Sequence, residues 1–165
     1  MTTMTMREPR LVQREAFWLV GMQITVKPMT AEIPALWQRF APRMGEVPDV
    51  AEPKVSYGAM QNFDQQKGTL EYMAGVSVTT LARMPDGMTS MEAPPNTYAV
   101  FEATLASIGG VFCQIYETWL PTSNFEHVEA PYFERYDERF DPAVPHSVIE
   151  IYIPVKARSH LAATA

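Results

Sequence analysis

The chain has 165 residues, which suits a single domain with a sizeable hydrophobic core. Apolar residues make up 47% of it and charged residues 19%, a composition typical of a folded protein rather than a disordered one. The formal net charge is −6, and nucleic-acid binding needs a cationic surface. We therefore expect no direct contact with nucleic acid, whereas a cationic small molecule fits the charge.

Cysteine usage and hydropathy indicate the compartment. Cys113 is the only cysteine, so the chain cannot form an internal disulfide, and a reducing compartment fits best. The first ten residues contain no apolar stretch of signal-peptide length, and no run of about 18 apolar residues occurs. We expect a cytoplasmic protein without a membrane partner.

The first half of the chain predicts a strand, a helix and two strands. Residues 10–26 are rich in β-branched and aromatic residues and predict a long strand, bent at Gly21. An amphipathic helix follows, with Thr30 as its cap and Pro42 as its stop. Its apolar stripe comprises Ile33, Leu36, Trp37 and Phe40. Two further strands are predicted at 54–63 and 69–81.

The second half predicts the same order after a break. Residues 84–96 contain Pro, Gly and a Pro-Pro pair, which predicts a linker. A strand at 97–105 then precedes a helix at 107–120, with Ser107 as its cap and Pro121 after its end. The last two predicted strands cover 131–136 and 147–155.

The repeated order predicts the fold class. A tandem β-α-β-β repeat in an α+β domain would form a continuous antiparallel sheet, with two helices on one face and a central cleft. The half-repeats cover about 10–83 and 96–157 of a single domain at 10–157. Residues 1–9 and 158–165 are expected to be tails.

One stretch, "APYFERYDERFDP" at 130–142, sets a glutamate among aromatic residues. Because alternate strand residues share a face, Tyr132, Glu134 and Tyr136 are predicted to point the same way. Phe133 and Arg135 are predicted to point the other way. By the same alternation in the last strand, Glu150 and Tyr152 are expected on the solvent side.

The cleft between the two halves is the expected ligand site, because ligands commonly bind at such junctions. The side chains predicted to line it are Glu134, Tyr136, Tyr72, Trp119, Trp37, Phe112 and Tyr57. Other interpretations stay open at this point. Glu134 could be an exposed strand residue paired with Arg135 or Arg139, and both tryptophans could serve core packing.

Several kinds of chemistry have no sequence signal. The three histidines lie far apart, so no zinc spacing exists, and His127 is expected to be an ordinary loop residue. The chain lacks a GxSxG elbow, a GxGxxG motif and a P-loop lysine. Nor does a helix-turn-helix fit before the first strand. We expect no metal and no cofactor.

The motifs together resemble the GyrI-like domain, the SHS2-type effector-binding domain of AraC-type and multidrug-sensing bacterial transcription regulators. They are "IPALWQRF", "YGAMQNFD…LEYMAGVSV", "YAVFEATLASIGGVFCQIYETWLPTSNFE" and "APYFERYDERFDP…SVIEIYIPVK". The resemblance implies a central cleft that takes bulky, often aromatic or cationic, organic molecules. It places the acidic residue deep in that cleft at Glu134. A standalone small-molecule-binding domain is therefore the leading hypothesis.

The resemblance also implies two alternatives. Some standalone relatives are hydrolases of cyclopropane-bearing drugs, in which Glu134 would act as general base, and another is a gyrase inhibitor. After "AGV", relatives often carry an acidic residue where this chain has Ser77, which weakens the hydrolase hypothesis. A protein partner, either gyrase or a regulator, stays open, as does a homodimer.

Overall fold

The computed structural model describes residues 8–28 and 30–158. Residues 1–7 and 159–165, which make up most of the two predicted tails, lie outside the described residues. The predicted fold class is confirmed: one large antiparallel sheet carries helices on one face. Among the described helices, none is long and apolar enough to cross a membrane.

The described elements are as follows. The strands are β1 (Arg10–Arg14), β2 (Phe17–Val26), β3 (Ser56–Asp64), β4 (Thr69–Val78), β5 (Thr89–Ala93), β6 (Asn96–Ala103), β7 (Phe125–His127), β8 (Tyr132–Tyr136) and β9 (Ile149–Ala157). The helices are α1 (Glu32–Phe40), α2 (Ile108–Gln114) and α3 (Leu120–Thr122). A 3-10 segment at Ala41–Glu46 follows α1, and a π-helical segment at Ile115–Trp119 joins α2 to α3.

The sheet order shows the two halves side by side. The strands lie in the order β1-β6-β9-β8-β3-β4-β2-β5, with β7 paired to β9. Strands β3 and β8 pair at the centre, β4 and β2 extend the first half outward, and β9 and β6 extend the second half in the same way. The arrangement is therefore a pseudo-twofold repeat about the β3–β8 pair.

Two predicted boundaries are corrected by the edge strands. The strand expected at 10–26 breaks at Glu15–Ala16 rather than at Gly21, and its first part, β1, pairs with β6 of the other half. The expected linker at 84–96 contains β5, which pairs with β2 of the first half. The first strand of each half, β1 or β5, thus pairs with a strand of the other half at an edge of the sheet.

These exchanged strands force the sheet to curl. β1 lies at one end of the sheet and β2 lies next to the other end, yet only Glu15 and Ala16 connect them. Three residue steps reach at most about 11 Å, so the two ends must approach each other. The face away from the helices is consequently buried, in a cluster comprising Leu19, Tyr57, Ala59, Met73, Met91, Tyr98, Val100, Phe133 and Tyr152.

That curl overturns the expectation for the last strand. Glu150 and Tyr152 were expected on the solvent side, but they are 3% and 6% exposed. The alternation itself is correct, since Ile149, Ile151 and Ile153 do face the helices. The prediction was wrong because both faces of this sheet are covered.

The helices cover the other face with the predicted stripes. In α1, Leu36 and Phe40 are fully buried and Trp37 is half-buried. Ala31, not Thr30, occupies the cap position of α1, and no side chain caps the helix. The second helix continues beyond Pro121, because a proline is tolerated in the first turn of α3.

Candidate functional site

The candidate site is built on the central strand pair. Glu134 of β8 lies opposite Gly58 of β3, on the helix-covered face, and it is 9% exposed. The hydroxyl of Tyr72 on β4 donates to Glu134 Oε1 at 3.0 Å. The hydroxyl of Tyr136 donates to the same oxygen at 2.6 Å. The glutamate therefore sits between two tyrosines, one contributed by each half of the repeat.

Gly58 provides the room for this carboxylate. A Cβ atom at position 58 would lie 2.6 Å from Glu134 Oε1, and it would also collide with the Tyr72 hydroxyl. A glycine inside a strand commonly marks such a close approach. Sequence reasoning did not single out Gly58, although a glycine in the middle of a predicted strand was the available signal.

Helix α1 covers the Glu134 site on the helix side of the sheet. The Trp37 indole N–H donates to the Tyr72 hydroxyl at 2.9 Å, and the indole ring packs edge-on against Tyr136 with 5.4 Å between ring centroids. Phe140 also packs edge-on against Tyr136, with 4.8 Å between centroids. The space above the carboxylate is thus filled by the protein's own aromatic side chains.

Among the described residues, no cationic side chain pairs with the Glu134 carboxylate. Burial raises its pKa, and the hydrogen bonds from Tyr136 and Tyr72 only partly oppose that effect. The alternative of an exposed glutamate paired with Arg135 or Arg139 is wrong. In the described ranges 8–28 and 30–158, both arginines pair with carboxylates on the opposite face of the sheet.

The second half supplies an aromatic wall beside the glutamate. Tyr132, which precedes Glu134 on the same face, packs against Phe112 and Tyr116 of the second helix, with centroids 6.4 and 6.3 Å apart. It also contacts the His127 ring at 5.9 Å. Phe112 packs against the hydrophobic clusters of both halves, so it lies at their junction.

Two predicted site residues lie elsewhere. Trp119 packs against Phe101 and Phe125, with centroids 5.1 and 6.0 Å apart, in the core of the second half. Tyr57 faces the opposite side of the sheet, where its hydroxyl donates to Glu52. The structure therefore brings together Glu134, Tyr136, Tyr72 and Trp37, with Phe112 nearby.

Ser77 stands where relatives often carry an acidic residue, and its position shows whether this difference affects the Glu134 site. Ser77 lies on the face opposite Glu134 and donates to Glu52 Oε1 at 2.7 Å. An acidic residue at this position would meet Glu52 rather than a ligand beside Glu134. The serine therefore subtracts no charge from the Glu134 site.

Comparison with known proteins identifies related sequences. A family model described as an integron-associated effector binding protein (Cass2) matches residues 10–155. The transcriptional regulator BrlR of Pseudomonas aeruginosa is 36% identical over 149 residues, which cover 88% of this chain and 54% of BrlR. The chain thus spans about half the length of this curated relative.

Solved structures share the fold. SAV2435 bound to tetraphenylphosphonium matches with a TM-score of 0.70 and 23% identity, covering 91% of this chain and 94% of that one. An integron cassette protein from Vibrio cholerae matches at 0.67 and 18%, covering 92% and 97%. The EcmrR C-terminal domain matches at 0.65 and 12%, covering 91% and 98%. At these identities the likeness concerns the fold alone.

Proposed function

Since the chain belongs to the family of integron-associated effector binding proteins, we propose that it binds bulky aromatic cations at Glu134. The observation that carries the proposal is a buried carboxylate that is hydrogen-bonded to two tyrosines and has no cationic partner among the described residues. Such a group is costly to keep ionised, and a cationic ligand would remove that cost.

The surrounding rings favour an aromatic ligand. Trp37 and Tyr136 lie above the carboxylate, while Tyr132 and Phe112 continue the aromatic surface toward the second helix. A cation over a desolvated aromatic face gains about 2 kcal/mol. Charge and apolar shape together require no detailed hydrogen-bond pattern, so we expect the site to accept a range of cations.

Ligand entry requires side chains to move. The indole of Trp37 both packs on Tyr136 and donates to Tyr72, so it covers the glutamate. A ligand ring would take the place of these side chains and restore the aromatic contacts that they give up. The tyrosine hydroxyls can stay on the carboxylate, because a carboxylate oxygen accepts more than one hydrogen bond.

A binding titration tests this function. Tetraphenylphosphonium is a suitable probe because SAV2435 has been solved with it bound, and triphenylphosphine oxide is a neutral ligand of similar rings. We expect saturable 1:1 binding of the cation by calorimetry, at least about tenfold tighter than that of the neutral compound. Equal affinities, or no saturation, would refute the proposal.

Analysis of the incubated compound distinguishes the hydrolase alternative from binding alone. The same protein is incubated with a cyclopropane-bearing or epoxide compound, and mass spectrometry looks for an added water. We expect the compound to be recovered unchanged. Turnover that is lost in Glu134→Gln would instead assign the glutamate as a general base.

A further inference from the structure

The buried face away from the helices holds an arginine in an aromatic cage. The guanidinium carbon of Arg14, at the end of β1, lies 4.0 Å from the ring centroid of Phe17. It lies 5.8 Å from the centroids of Tyr57, Phe133 and Tyr152. These four rings come from β2, β3, β8 and β9, so the curl of the sheet assembles the cage.

A carboxylate completes the cage. Arg14 donates to the Tyr57 hydroxyl at 3.1 Å, and its guanidinium lies 3.7 Å from Glu52 Oε1. Glu52 is held in place by other groups, since Ser77 donates to it at 2.7 Å and Arg135 at 2.8 Å. The negative group would therefore keep its position if Arg14 left.

The protonation state of Glu52 suits a cation site. Burial acts to raise its pKa, but the hydrogen bonds from Tyr57, Arg135 and Ser77 outweigh burial and leave the pKa below its ordinary value. Glu52 is thus ionised at neutral pH. This is the opposite of Glu134, whose pKa is raised.

The cage is accessible from solvent. The side chains of Arg14 and Glu52 are 21% and 25% exposed, so both charged groups reach the surface. A small molecule in solution can therefore reach the edge of the cage, where the guanidinium and the carboxylate meet the surface.

We propose that this cage is a second cation site, separate from Glu134, in which Arg14 acts as a tethered ligand. A guanidinium-bearing small molecule is the class that it takes when Arg14 leaves. Guanidinium groups stack on aromatic faces and pair with carboxylates, and the cage offers both. A short tether gives Arg14 an effective concentration in the millimolar range, so a competing molecule must bind the cage more tightly than the Arg14 side chain does.

The test empties the cage and refills it with methylguanidinium. In Arg14→Ala, we expect methylguanidinium to raise the melting temperature saturably, by about 4 °C at ten times its Kd. The wild-type protein should only lose stability at the same concentrations, because its cage is occupied. Arg43→Ala is the matched control, since it removes an arginine that pairs with Glu46 on the surface.

A second variant checks the chemistry of the refilled site. Adding Glu52→Gln to Arg14→Ala should abolish the saturable rise, because the carboxylate is lost. No rise in Arg14→Ala, or an equal rise in Arg43→Ala, would overturn the proposal. If Arg14→Ala is unfolded in buffer, recovery of its near-ultraviolet circular dichroism by methylguanidinium but not by urea is the supporting result. Failure to recover is the contrary one.

Discussion

Replacing Glu134 by glutamine is the perturbation that reports most on the proposed site. The two side chains have nearly the same size, and Tyr72 and Tyr136 can still donate to the remaining carbonyl oxygen. The substitution therefore removes the charge with little change in shape. We expect Glu134→Gln to bind tetraphenylphosphonium more weakly than the wild-type protein does.

The magnitude follows from the burial of the carboxylate. The charge of tetraphenylphosphonium is surrounded by its phenyl rings, so its centre would stay about 6 Å from the carboxylate. At an effective dielectric constant near 20, two unit charges at this distance attract by about 3 kcal/mol. Each 1.4 kcal/mol is a factor of ten, so the affinity should fall roughly 100-fold.

The affinities are measured by calorimetric titration of the wild type, Glu134→Gln and Glu92→Gln with tetraphenylphosphonium and with triphenylphosphine oxide. Glu92→Gln, an exposed carboxylate on β5, makes the same change of net charge and should bind the cation as the wild-type protein does. Triphenylphosphine oxide should bind Glu134→Gln and wild type within about threefold of each other, since it carries no charge. A loss below threefold for the cation, or an equal loss for both ligands, would refute the electrostatic argument.

Three further predictions follow from the same group of side chains. Gly58→Ala places a methyl group against Glu134 and Tyr72, so it should lower the free energy of unfolding by about 1–3 kcal/mol in a urea titration; an unchanged midpoint would contradict the packing described. Trp37→Phe removes the N–H donor to Tyr72 and should abolish most of the tryptophan quenching by tetraphenylphosphonium, whereas undiminished quenching would place the ligand elsewhere. Because burial raises the pKa of Glu134, the folded state holds this proton to a higher pH than the unfolded chain does. The wild-type melting temperature should therefore fall relative to that of Glu134→Gln as the pH rises from 4 to 7, and a constant difference would show that Glu134 is not perturbed.

The face of β8 could be predicted from the sequence because strand alternation is local. Tyr132, Glu134 and Tyr136 do share one face, and Phe133 and Arg135 share the other. The apolar stripe of α1 was likewise accessible from residue spacing, which the burial of its leucine and phenylalanine confirms. The tandem order of elements followed from these local patterns.

The edge strands could not be predicted, because their partners are distant in sequence. The local sequence of Arg10–Arg14 does not indicate that this strand pairs with β6. The local sequence of Thr89–Ala93 likewise does not indicate that it pairs with β2. The curl that follows from this exchange decides what covers the second face of the sheet. Glu150 and Tyr152 were misplaced for that reason, since alternation gives the face of a residue but not what covers that face. Tyr57 was instead assigned to the wrong face of the sheet.

The site as a whole was only partly accessible to sequence reasoning. Glu134 and Tyr72 were both predicted to line the cleft, whereas Gly58 matters through a steric contact that only the pairing register reveals. Trp119 lies on the helix stripe just as Trp37 does, and the sequence offered no means to tell them apart. Their different roles depend on which ring each one meets: Tyr136 for Trp37, and Phe101 for Trp119.

The pKa of Glu134 in the presence and absence of ligand tests the central claim most directly. Carbon-13 NMR of the labelled side-chain carboxyl, followed against pH, would give both values. A cation bound beside the carboxylate favours its ionised form, so saturation with tetraphenylphosphonium should lower the pKa of Glu134. A pKa that saturating ligand leaves unchanged would show that the cation does not bind at Glu134.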